Sequence, residues 1–261
     1  MKSLKEALLN RNKNIDVAGM AADVAEEYIN ANYTIDGKLI FENVNGAYIV
    51  HCDGDIEVLN KKIEKLTDGF VWGKVKGKFN CPNCKNLESL EGSPETVGKN
   101  FYCGGCNSLT SLEGAPEKVS GDFSCSNCGS LISLQGAPKE VSGSFNCSWC
   151  DNIKTLEGAP EYVGGNFNCS DCENLKSLEG APKEVTGNFI CVNCDKLESL
   201  KGAPKKVGKN FECSYCTKLK SFVGGPEIVG YNFDFSHCPN ITSSEGKPKE
   251  VGGTYLGAIK L

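Results

Sequence analysis

Arginine is almost missing from this 261-residue chain: Arg11 stands alone among 28 basic residues. Phosphate and guanine readout favour guanidinium forks, and the net charge is -5. Composition therefore argues against a dedicated nucleic-acid binder. Histidine is scarce too, with only His51 and His237. Each precedes a cysteine, Cys52 and Cys238, and adjacent strand residues point to opposite faces, so neither histidine makes a local Cys-His dyad. G-x-S-x-G and G-x-G-x-x-G are absent. Gly92 to Gly98 with Lys99, and Gly202 to Gly208 with Lys209, come near a phosphate loop. In both, the spacing is one too long and no Ser or Thr follows the lysine. No apolar run approaches the ~20 residues of a membrane span, and the residues after Met1 lack a secretory apolar core. These absences predict a soluble, cytoplasmic, non-enzymatic protein with no cofactor, no membrane and no nucleic-acid partner. Without a secretion route, the sequons at Asn32, Asn146 and Asn240 carry no meaning.

What the chain has in excess is glycine and cysteine, 30 and 16 residues, and both belong to a repeat. Phe79, Phe101, Phe123, Phe145, Phe167, Phe189, Phe211 and Phe233 recur every 22 residues, followed by Tyr255. A cysteine stands two residues after each phenylalanine from Cys81 to Cys213, until Phe235 breaks the series. A second follows three later, from Cys84 to Cys238. Aliphatic positions such as Leu175 and Leu178, then Gly180, Pro182 and Val185, complete the unit. Phe and Cys two apart share one side of a short strand. Gly-x-Pro closes a turn. One unit cannot bury its own apolar side chains, so stacked units must share a core. The expected fold is a β-dominated solenoid of 22-residue coils with parallel strands at each Phe-x-Cys.

The stretch V-x-x-x-F-x-C-x-x-C-x-x-L resembles the leucine-rich repeat, with Cys172 at the Asn/Cys ladder position and Leu175 and Leu178 continuing the inward set. F-x-C-S-x-C-x-x-L-x-S-L-x-G-A-P-x-x-V is more narrowly similar to short leucine-rich-repeat-like arrays of bacterial and bacteriophage proteins. The resemblance covers residues 75–261. It implies a leucine-rich-repeat-like fold, and a phage-type accessory or counter-defence protein that binds a host factor. The sequence departs from the family pattern in placing Val four residues before Phe and in showing no helix on the convex side.

Residues 1–74 are expected to form a helix-plus-strand cap that includes one degenerate repeat. Asp16 to Ile29 has helical apolar spacing, with Asp16 as its N-cap. Lys38–Phe41 and Ala47–Val50 flank Asn45-Gly46, a hairpin signal. Gly54–Val58 aligns with Gly77–Cys81. No cap is visible at the other end. Its final strand, Thr254 to Leu261, is expected either to pair with a second copy in a homodimer or to fold back at Gly257.

Seven C-x-x-C pairs 22 residues apart also fit a zinc-repeat spacing. An odd number of pairs, the replacement of one cysteine by Phe235, and the inward phase of both cysteines favour packed thiols over thiolate ligands. An enzyme with its site in residues 1–74 is a further alternative. Lys196, Lys201, Lys205, Lys206, Lys209, Lys218 and Lys220 face only Glu198 and Glu212 over 196–220. That is either a solvated edge or a contact for an acidic partner. Units differ mainly on the outer strand face. Tyr102, Ile190, Glu212 and Asp234 stand between Phe and the first Cys position. Trp149, Tyr215 and His237 stand two residues beyond that position, among Asn, Asp and Gly. These seven residues form the expected protein-binding face. Drift at unconstrained surface positions accounts for the same variation.

Overall fold

A computed structural model describes residues 22–44 and 47–259, and in it the chain is a parallel β-solenoid. Each Phe-x strand is two residues long and pairs with its equivalents one coil away, Phe123 opposite Phe101 and Phe145. These eight strands form most of one of two eleven-stranded sheets. The second sheet was not anticipated. It runs through the residue pairs that end in the repeat valine, such as Glu140–Val141 and Tyr162–Val163, in the same parallel register. The Gly-Pro segment was expected to be turn or extended chain. Its last two residues are held as a strand because each valine falls inward, opposite the valine of the next coil.

The core is a set of columns. Eight phenylalanine rings from Phe79 to Phe233 stack along the axis, with neighbouring centroids 5.1 to 5.6 Å apart. In the coils from Phe79 to Phe189, both cysteines, both aliphatic positions and the valine are buried beside them. Each fully buried Phe or Leu side chain contributes about 1.5–3 kcal/mol. That gain appears only when a neighbouring coil supplies the other wall.

Two polar devices hold the coils in register. From Asn100 to Asn232, the residue before each Phe forms a ladder in which its side-chain oxygen accepts the N–H of the equivalent residue one coil on. Asn166 Oδ1 accepts Asn188 N–H at 2.8 Å, Asn188 accepts Asn210 at 3.0 Å, and Asn210 accepts Asn232 at 3.0 Å. The turn before the proline needs glycine. Gly158 has φ +90°, and a Cβ there would lie 2.4 Å from the Gln135 nitrogen of the preceding coil.

At the N-terminal end, helix α1 (Ala22–Asn32) is followed by β1 (Tyr33–Asp36), β2 (Leu39–Val44), β3 (Ala47–Cys52), β4 (Asp55–Val58) and β5 (Phe70–Val75). The helix extends three residues beyond the expected Ile29, and Asp16 lies outside the described residues. β1 pairs antiparallel with β4 and closes the first sheet, while the β2–β3 hairpin closes the second. Turn residues 45–46 lie outside the described residues. Ile56 sits opposite Phe79 and Val75 opposite Val97, so the degenerate repeat is in phase. Trp72, at the proline position, is buried against Tyr33 and Phe79.

The C-terminal end carries a cap, of which only the fold-back at Gly257 was among the alternatives read from the sequence. Phe235 replaces a cysteine where the core would otherwise open, and its ring meets Phe222 at 4.9 Å and Phe233 at 5.9 Å. Gly257 then passes over the Phe235 ring, where a Cβ would come within 2.6 Å, and Ile259 packs back on the core. Lys247 stands above the rings of Phe235 and Tyr255, at 5.5 and 4.8 Å. Lys260 and Leu261 lie outside the described residues.

Candidate functional site

The turn after each Phe-x strand decides where the variable side chains point. Its third residue after Cys81 or an equivalent must turn inward again, to deliver the second cysteine. The residue before that second cysteine therefore takes a left-handed backbone. Asn83, Asn127, Trp149, Asp171, Asn193, Tyr215 and His237 all have φ between +56° and +61°, and Gly105 has +74°. Their N–H groups still serve the sheet: Trp149 N–H donates to Ser170 O at 3.0 Å, and Tyr215 N–H to Ser236 O at 2.9 Å. Asn, Asp and Gly tolerate this conformation, and His is also enriched there, whereas bulky residues are outliers. Trp149 and Tyr215 carry that strain with half their surface open, 56% and 50% exposed. Tyr215 stacks on His237 with ring centroids 4.4 Å apart.

The seven expected site residues thus fall into two columns. Trp149, Tyr215 and His237 line an outer ridge; they are turn residues, not strand residues as expected. Tyr102, Ile190, Glu212 and Asp234 are in the strands, but they are half-buried rather than exposed. Equivalent residues of stacked coils lie about 4.8 Å apart and cover one another. Several are also hydrogen-bonded: Tyr102 Oη accepts from Asn100 Nδ2 at 2.5 Å, Glu212 Oε1 from Asn210 Nδ2 at 3.3 Å, and Asp234 Oδ1 from Ser236 N–H at 2.8 Å. Tyr102 borders a shallow notch with Asn83, Ser124 and Asn127. Beside it, Asn80 Oδ1 is buried without a partner among the described residues. In other coils that oxygen takes the N–H two residues on, as Asn168 takes Ser170 N–H at 2.9 Å. Here the residue two on is Pro82, which has no N–H to give.

The cysteines have a structural task. All 16 are free and buried. The two members of a C-x-x-C pair belong to different columns, and the second thiol donates to the carbonyl of the first cysteine one coil earlier. Cys150 reaches Cys125 O at 3.3 Å, Cys172 reaches Cys147 O at 3.3 Å, and Cys238 reaches Cys213 O at 3.1 Å. Burial pushes the thiols of Cys103, Cys147, Cys169 and Cys213 well up from their ordinary range, and that of Cys238 up to about 12. A thiolate ligand needs the opposite shift. Among the described residues, no cluster of three or more His, Cys, Asp or Glu could hold a metal ion.

In the cap, His51 Nδ1 accepts Lys74 N–H at 2.8 Å and its Nε2 lies 3.5 Å from Glu42 Oε2. The lysines of 196–220 are distributed around the coil. Lys201 pairs with Glu179 at 2.8 Å, Lys205 lies 3.8 Å from Glu227, and Lys196 donates to Asn174 Oδ1 at 2.5 Å. No helix among the described residues is long and apolar enough to cross a membrane. No protein-family model matches the chain, and neither a curated protein nor a solved structure does.

Proposed function

We propose that this solenoid is a non-enzymatic, cytoplasmic binding module that holds a protein partner on the outer ridge. The observation behind this reading is the placement of Trp149 and Tyr215. Both are bulky, solvent-exposed and held in a backbone conformation that Asn or Gly would adopt with less strain. Neither is among the buried residues of the core, so the fold gives no reason to keep them. Exposed rigid aromatics are favoured anchors at interfaces. The half-buried strand residues Tyr102, Ile190, Glu212 and Asp234 would form the floor beside that ridge. The leucine-rich-repeat-like resemblance agrees with such a role, and its phage-type variant extends it to an accessory or counter-defence protein engaging a host factor.

The test is affinity capture from the native host with the intact chain and with Trp149→Ala/Tyr215→Ala. The proposal expects a discrete captured partner that the double variant loses while its thermal midpoint stays nearly unchanged. Retention of the same partner by the double variant would refute the ridge.

A further inference from the structure

The ridge is not uniform along its length. Its first three positions, Asn83, Gly105 and Asn127, carry neither charge nor aromatic ring. From Trp149 onward the character changes. Asp171 stands on the ridge itself, Asp151, Glu173 and Asp195 lie just beyond it, and Glu212 and Asp234 lie on the strand side. From Trp149 onward no lysine occupies these columns; Lys196 and Lys218 stand in the adjoining column, and Lys196 is engaged by Asn174. Elsewhere on the solenoid some acids are neutralised from coil to coil, as in Glu161–Lys183 at 2.7 Å, Glu179–Lys201 at 2.8 Å and Glu227–Lys249 at 2.8 Å. None of the six ridge carboxylates has an ion-pair partner among the described residues. Their contacts are to neutral donors, as with Asp171 Oδ1 to Asn193 Nδ2 at 2.7 Å and Asp195 Oδ1 to Thr217 Oγ1 at 3.2 Å.

Resting on the binding reading above, we infer that the stretch from Trp149 to His237 takes an extended, lysine- or arginine-rich peptide segment lying along the solenoid axis. Three properties of the ridge match that occupant. Unpaired carboxylates at successive coils supply charge-assisted acceptors for ammonium or guanidinium groups. Trp149 and the Tyr215–His237 stack frame them, and an indole or phenol face attracts a cation. The length also fits. Four coil steps of about 4.8 Å span roughly 19 Å, which an extended chain covers in about six residues at ~3.3 Å each. A polyanion would meet the same carboxylates with like charge.

The chain carries its own reporter. Of its two tryptophans, Trp72 is fully buried and Trp149 lies on the ridge, so a ligand-induced change in tryptophan emission reads the ridge. The full chain is titrated with hexalysine, hexaarginine and hexaglutamate, and with a neutral hexasaccharide. The expected result is a saturable change with the basic peptides alone, weakened by salt. It should also be weakened about tenfold in Asp171→Asn/Asp195→Asn, the loss of ~1.4 kcal/mol of charge-assisted contact. Asn is already the residue at Asn193, equivalent to Asp171, and at Asn107, equivalent to Asp195, so the unfolding midpoint should hold. No saturable response to either basic peptide would overturn the inference. So would an undiminished response in the Asp variant, or an equal response to the acidic peptide or the sugar. If basic peptides fail while the aromatic double variant still loses its captured partner, the ridge stands as a binding face and only its ligand chemistry is wrong.

Discussion

A buried thiol is a modest hydrophobe until it loses its proton, and this chain stacks such thiols from Cys81 to Cys238. Burial raises the folded-state pKa of Cys103, Cys147, Cys169, Cys213 and Cys238, while in the unfolded chain these thiols titrate near the ordinary value of about 9. Their contribution to stability is complete below pH ~9 and is lost as pH rises toward the folded-state values, because only the unfolded chain can release the protons. Each fully shifted thiol removes at most about 1.4 kcal/mol per pH unit in that window. Urea unfolding at neutral pH and above pH ~9 should therefore show a steep alkaline loss of stability; a flat profile would mean that the thiols are hydrated. Native protein should also react slowly with a thiol reagent and fast once unfolded. At this scale the inward residues were legible from period alone, since every buried Phe, Cys and Leu recurs at fixed spacing. The ridge was half legible. Asn83, Asn127, Asp171 and Asn193 with Gly105 spell out a left-handed position. The Trp, Tyr and His that share their column read as ordinary outward side chains until the backbone was seen.

Within one coil, the elements are too short to exist alone. A two-residue strand gains its stability from the coil above and the coil below, so damage should spread along the axis. Truncating Phe167, which stacks between Phe145 at 5.5 Å and Phe189 at 5.2 Å, should cost about 3–5 kcal/mol. It should also unfold neighbouring coils first, which hydrogen exchange would show as lost amide protection centred on that rung. Asn188→Ala should remove the acceptor of the Asn210 N–H and cost about 1–3 kcal/mol, read from the urea midpoint. A cost near zero would mean that water replaces the ladder. The Phe-x-Cys strand announced itself through two inward residues at period two. The second sheet did not. A single inward valine preceded by Glu, Lys, Tyr or Ile carries no alternation, and only the stacking of coils shows it to be strand. The Asn ladder was equally hidden, because Asn, Asp and Ser alternate there without a hydrophobic signature.

As a whole, the molecule separates the residues that fold it from those that face solvent on the ridge. Aromatic clusters close both ends of the core: Trp72 with Tyr33 and Phe70 at one, Phe222, Phe233 and Phe235 at the other. The departure from cysteine at Phe235 was legible, but its role as a plug depends on Phe222 and Gly257 converging on it in space. With Phe235 covered and Ile259 packed back, the 261-residue chain is expected to sediment as a monomer at micromolar concentration. Tyr255 and Leu256 remain partly exposed, and a concentration-dependent dimer abolished by deleting residues 254–261 would show that this strand pairs with a second copy instead. The central claim is that the ridge aromatics are held at the expense of stability, for contact rather than for folding. It is tested most directly by the unfolding free energy of Trp149→Asn/Tyr215→Asn, which gives both positions the residue found in neighbouring coils. The account predicts a variant with unchanged secondary structure that is more stable than the parent by about 1–2 kcal/mol, the strain released at two left-handed positions. A variant less stable than the parent would show that Trp149 and Tyr215 support the fold, and would contradict the account.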